Sequence, residues 1–110
     1  MAYDQELADR VRETLEHEKG VTEKPMFGGL AFLINGHMAV SAGSKGGLLL
    51  RVDPADTDIL LQQPHARRFE MRGREMDGWL HIDADAQTPE DELTRWIGRG
   101  VRYVKSLPPK

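Results

Sequence analysis

Apolar residues follow two rhythms along this chain, and the change from one to the other divides it into elements. Leu7, Ala8, Val11 and Leu15 recur at spacings of three and four, which stacks them on one stripe of a helix. The spacing predicts a helix from Asp4 to about Glu18, with Gly20 placed to close it in a left-handed residue. Short apolar runs broken by turn formers come next. Val21 to Met26 reads as a strand in which Pro25 lacks an amide donor, so it belongs at a sheet edge or a bulge. Met26-Phe27-Gly28-Gly29 then supplies a turn. Leu30 to Ile34 and His37 to Ala42 flank Asn35-Gly36, a pair that tolerates positive φ at both positions and so predicts a two-residue hairpin. After the looser Gly43-Ser44-Lys45-Gly46-Gly47 loop, Leu48 to Val52 forms the next strand.

The second half repeats the alternation on a larger scale. Asp53-Pro54-Ala55-Asp56 is a helix start, with a side-chain cap, a proline at the first helical position and an acid at the positive dipole end; the short helix runs to about Gln62. Gln63-Pro64-His65-Ala66 breaks it, and Arg67 to Asp83 holds one or two strands with turns at Arg72-Gly73-Arg74 and Asp77-Gly78. Thr88-Pro89-Glu90-Asp91 opens a last helix by the same logic, with Leu93, Trp96, Ile97, Val101, Val104 and Leu107 as its apolar stripe. Gly98 and Gly100 each weaken that helix by about 1 kcal/mol relative to alanine, which marks a close helix–sheet approach or a bend. The order α-β-β-β-β-α-β-β-α predicts an α+β two-layer sandwich, an antiparallel sheet with helices on one side.

At 110 residues, 39% hydrophobic and 30% charged, the chain is expected to be a single domain over residues 1–110 with a continuous core. Fifteen Lys and Arg face eighteen Asp and Glu, so there is no general positive field to attract nucleic acid. The lack of cysteine excludes disulfides and thiolate chemistry. No apolar run approaches the roughly 18 residues of a membrane span, and the start at Met1 leads directly into a charged amphipathic stretch. A cytoplasmic protein is expected.

Candidate chemistry is sparse. Of the four histidines, His37 and His81 fall on strands and could meet near Asp83 as a partial metal site; their spacing is not diagnostic, and no metal or other cofactor is assigned. Ser41, Ser44 and Ser106 form no triad with them. The lysine of Gly43–Gly47 precedes its glycines and a strand follows, the reverse of a phosphate loop. The Glu90-Asp91-Glu92 acids suit a helix first turn. The densest feature is Arg67, Arg68, Arg72 and Arg74 around Phe69, suited to phosphate or an acidic protein surface, without a DNA-reading element.

Val21-Thr22-Glu23-Lys24-Pro25-Met26-Phe27-Gly28-Gly29, followed by Leu30-Ala31-Phe32-Leu33 and Asn35-Gly36, resembles the hallmark block of TfoX/Sxy N-terminal domains. Gly47-Leu48-Leu49-Leu50-Arg51-Val52-Asp53, the Trp79 strand and the terminal Leu107-Pro108-Pro109-Lys110 are similar to later parts of that family. The resemblance implies a secretion-chaperone-like α+β fold with a curved sheet, and a stand-alone N-terminal domain. Members with a second, C-terminal domain are associated with competence-gene regulation alongside a cyclic-AMP receptor protein. The resemblance therefore implies a regulatory, protein-binding role and carries over no catalytic residue; a small-molecule or anion-binding domain is the alternative. The motif residues Met26, Phe27, Gly28 and Gly29 have a structural explanation: Phe27 fills the core while the glycines permit a tight turn. An unbroken register around Asn35-Gly36 pairs Phe32 with Ala39 and Ala31 with Val40, and groups Leu33, Met38 and Val40 toward the helices. Phe32, Ile34 and Ala39 would then lie on an uncovered face and support a homodimer.

Overall fold

Asp4 turns the chain into α1 (Gln5–Thr14) by accepting a hydrogen bond from the Leu7 amide at 3.1 Å, which satisfies one of the amides a helix start leaves bare. The helix is shorter than its apolar spacing suggested. It closes at Leu15, and Gly20, with φ of 75°, serves the turn into the sheet, where its carbonyl accepts the Asn35 amide at 3.2 Å. The computed structural model describes residues 3–26, 28–43, 46–71 and 73–108, with the backbone alone at 71 and 74–76.

Among the described residues six strands follow, β1 (Val21–Met26), β2 (Gly29–Ile34), β3 (His37–Ala42), β4 (Leu48–Arg51), β5 (Ala66–Met71) and β6 (Arg74–Ile82). A 3-10 turn (Pro54–Asp56) and α2 (Thr57–Leu60) separate β4 from β5, and α3 (Glu90–Lys105) ends the fold. The strands make one antiparallel sheet in the order β1-β2-β3-β4-β6-β5. The α+β sandwich and its element order thus match the sequence pattern, with Pro25 on the edge strand β1, where its missing donor costs no ladder bond. Asn35 and Gly36 take φ of 53° and 88°, as their hairpin requires. Asp77-Gly78 is a correction: it lies within β6, where Gly78 takes φ of 85° and donates its amide to Thr57 Oγ1 at 2.9 Å. Thr88 is another, since its hydroxyl accepts from the Asp85 amide at 2.9 Å while Pro89 occupies the α3 cap position.

The hairpin register holds for Ile34↔His37 and Leu33↔Met38 and then slips: Phe32 pairs with Val40 and Ala31 with Ser41, leaving Ala39 as the extra residue of a bulge. The bulge brings Val40 to the same side as Phe32 and Ile34. That side holds the larger apolar set, so it is the side the helices cover. Phe32, Ile34 and Ala39 are 0%, 1% and 0% exposed within the main core, which corrects the expectation that they form an uncovered face. Residues of all three helices join that core; each fully buried Leu, Ile or Phe contributes about 1.5–3 kcal/mol. α3 crosses the sheet at Gly100, where a Cβ would stand 2.7 Å from Leu50 Cδ1 and 2.8 Å from the Ala39 carbonyl oxygen, whereas a Cβ on Gly98 would meet nothing within 4 Å. Only one of the two glycines marks the close approach.

Candidate functional site

The other side of the sheet carries a second apolar cluster to which, among the described residues, no helix contributes. Alternation puts successive residues on opposite faces, and the register lays this face out in rows. One row runs Thr22, Leu33, Met38 along β1 to β3, and the Arg51↔Trp79 pair of β4 and β6 lies on the same face, two residues from the Leu49↔His81 pair. The next runs Lys24, Ala31, Ser41, Leu49, His81, Arg67 across all six strands. Ala31, Met38 and Leu49 form its floor at 0%, 6% and 7% exposed, and half-buried Leu33, Met26, Phe69 and Trp79 pack against them. The result is an apolar floor with a polar rim, on the side the helices leave uncovered.

At one rim stands Arg51, the last residue of β4. Its guanidinium carbon lies 5.4 Å from the Trp79 ring centroid and 5.6 Å from that of Tyr103 on α3. A cation over an aromatic face is drawn to the ring quadrupole. Among the described residues Arg51 makes no hydrogen bond and no ion pair, so two rings hold the side chain while its donors stay free.

At the other rim Arg67 donates to Asp83 at 2.8 Å, and His81 Nε2 lies 3.3 Å from the same carboxylate oxygen. Burial and, after it, the Arg67 charge push the His81 imidazole below its ordinary value, with Asp83 opposing; the Arg67 hydrogen bond holds Asp83 below the usual carboxylate range. The arginine run is divided by the structure. Arg68 pairs with Leu80 on the helix side, donating to Asp58 at 2.6 Å and Asp77 at 2.7 Å, while Arg67 shares the open face with His81. Arg72 and the Arg74 side chain lie outside the described residues.

His37 and His81 do not meet. His37 shares the helix side with Ile34, where its Nε2–H donates to the Pro108 carbonyl at 2.6 Å and its buried Nδ1 has no partner among the described residues. Ser41 and His81 are separated by Leu49 in the ladder, two strand spacings or roughly 9–10 Å, beyond proton-transfer reach. An open cleft of about 490 Å³ beside β6 is lined by His65, Asp83, Asp85 and Glu92, with His65 3.9 Å from Glu92. Of the motif residues, Phe27 lies outside the described residues; Gly28 takes φ of 77°, and a Cβ on Gly29 would collide with the Ala42 carbonyl. Those glycines are backbone devices of the β1–β2 turn.

Sequence reasoning did not single out Arg51, Trp79 and the floor Ala31, Leu33, Met38 and Leu49 as one face. A signal existed in Leu48-Leu49-Leu50-Arg51: alternation sets Leu49 and Arg51 against Leu48 and Leu50. The register linking them to Met38 passes through the Ala39 bulge, which no residue type announces.

No helix among the described residues is long and apolar enough to cross a membrane. Neither a curated protein nor a solved structure matches the chain. The TfoX N-terminal domain matches residues 13–103, from the end of α1 to the last turns of α3 and so across every strand. By that match the chain belongs to the TfoX N-terminal domain family.

Proposed function

We propose that this chain is a non-enzymatic binding module which docks a protein partner on the helix-free face of its sheet, acting in regulation through contact rather than through DNA reading. The observation that carries this is the second apolar cluster, Ala31, Met38 and Leu49 ringed by Leu33, Phe69 and Trp79, to which no helix contributes among the described residues. An apolar surface rimmed by polar groups is what partner sites present. The separation of Ser41 from His81 by Leu49 supports binding over catalysis, because a nucleophile and base must lie within hydrogen-bond reach. For a family associated with competence genes, this reading makes the chain a contact-mediated regulator. Family association alone does not specify the act.

Peptide display provides the test. Random dodecapeptides selected on the full chain are expected to perturb the backbone amide resonances of residues 31–33, 38–41, 49 and 79–81. Leu33→Ser should weaken their binding while leaving the fold intact. Selection of no peptide above background, or perturbations confined to the outer faces of α1 and α3, would refute the proposal.

A further inference from the structure

We infer that the partner segment is an extended peptide placing an acidic side chain beside an apolar one, with the carboxylate received by Arg51 and the apolar group seated on Met38 and Leu49. The inference rests on the reading of the helix-free face as a partner surface and names what that surface selects. Three observations carry it. First, Arg51 is held between Trp79 and Tyr103 at 5.4 and 5.6 Å and makes no hydrogen bond or ion pair among the described residues. A guanidinium already restrained by two rings loses less side-chain freedom when it binds, and its fork matches a carboxylate.

Second, among the described residues the paired positions of this face hold Lys24, Arg51 and Arg67 and no carboxylate, on a chain whose acids outnumber its bases eighteen to fifteen. Asp83 at the rim is already engaged by Arg67. The charge complement of such a face is an acidic partner. A second copy of the chain would set the same cations against one another across a two-fold axis. Third, Met38 and Leu49 belong to the apolar floor, and Arg51 follows Leu49 at the next same-face position of β4. Two such positions are roughly 6.5–7 Å apart along a strand, the span between alternate side chains of an extended peptide.

Peptides selected from the random library are expected to carry Asp or Glu two positions from, or next to, a Leu, Ile, Met or Phe. Fluorescence anisotropy of the labelled consensus peptide should show Arg51→Gln weakening binding by about tenfold or more. Replacing the peptide's acid by its amide should cost as much, and both changes together little more than one, since each removes the same contact. Arg51→Lys, which keeps the charge and loses the fork, should fall between. Thermal melting checks that the variants fold, and the peptide exchange leaves the protein untouched. A consensus that binds the face without an acid, or with indifference to Arg51→Gln, overturns this inference and leaves the broader reading standing. Failure to select any peptide, binding of laurate alone, or a sedimenting dimer dissolved by Leu33→Ser removes both.

Discussion

The two faces of this sheet are built from alternate residues of the same strands, yet they end in different states. On one, Phe32, Ile34, Val40 and Leu50 are sealed beneath α1 and α3. On the other, Ala31, Met38 and Leu49 are covered by Met26, Leu33, Phe69 and Trp79, with Arg51 and Arg67 at the rim. Their histidines differ in the same way: His37 is tied to the Pro108 carbonyl, whereas His81 sits between Arg67 and Asp83 in partial contact with water. The helix-covered face spends its apolar surface on folding, while the open face retains surface that a partner can bury.

Truncation should expose the difference most strongly. Phe32→Ala opens a cavity in the sealed core and is expected to cost about 3–5 kcal/mol in denaturant unfolding. Leu33→Ala, one residue along and half-buried on the open face, should cost about 1 kcal/mol. Equal losses would mean that both faces serve folding alike.

The next contrast lies within α3, where the helix meets the covered face. Gly100→Ala forces a Cβ against Leu50 Cδ1 and the Ala39 and Arg51 carbonyls, and should destabilise by about 1–3 kcal/mol despite the better helix propensity. Gly98→Ala meets open space and should stabilise by roughly 1 kcal/mol. Melting of the two single variants checks both signs; a stabilising Gly100→Ala would mean that the helix does not approach the sheet this closely.

The smallest expected effect concerns the open rim. Burial and Arg67 disfavour charged His81 in the fold, so its contribution is fully present above the ordinary value of 6.5 and is lost as pH falls through the lower folded value. The Asp83 contribution is present above 3.8 and is lost only at lower pH still. Arg67→Met removes a charge that depresses His81 and leaves Asp83 free to bond it, so the imidazole should titrate at higher pH by NMR and Asp83 should rise as well. A His81 midpoint that stays in place would show that Arg67 does not set it.

Much of this architecture was legible along the chain because its signals are local. Asn35-Gly36, Asp53-Pro54 and the period of α3 each act through a few neighbouring residues, and each forms the element it announces. Gly20 and Asp77-Gly78 are not the boundaries their residue types suggest, because remote partners, Asn35 and Thr57, set their roles; Thr88 is turned from capping α3 by a local competitor, the Asp85 amide. The arginine run marked a basic segment, but which of its members are paired depends on Asp58, Asp77 and Asp83.

The sequence by itself determined the elements, their order and membership of the TfoX N-terminal domain family, since periodicity, turn chemistry and motif are properties of consecutive residues. Tertiary structure alone decided which face of the sheet is covered. One residue of bulge at Ala39 sets how β3 lies against β2, and with a side-chain period of two a single slip exchanges the faces. The same event brings Val40 under the helices and leaves Met38 on the open face with Leu49 and Trp79. Its cause is the summed packing of α1 and α3 on Phe32, Ile34 and Leu50, a property of the assembled core.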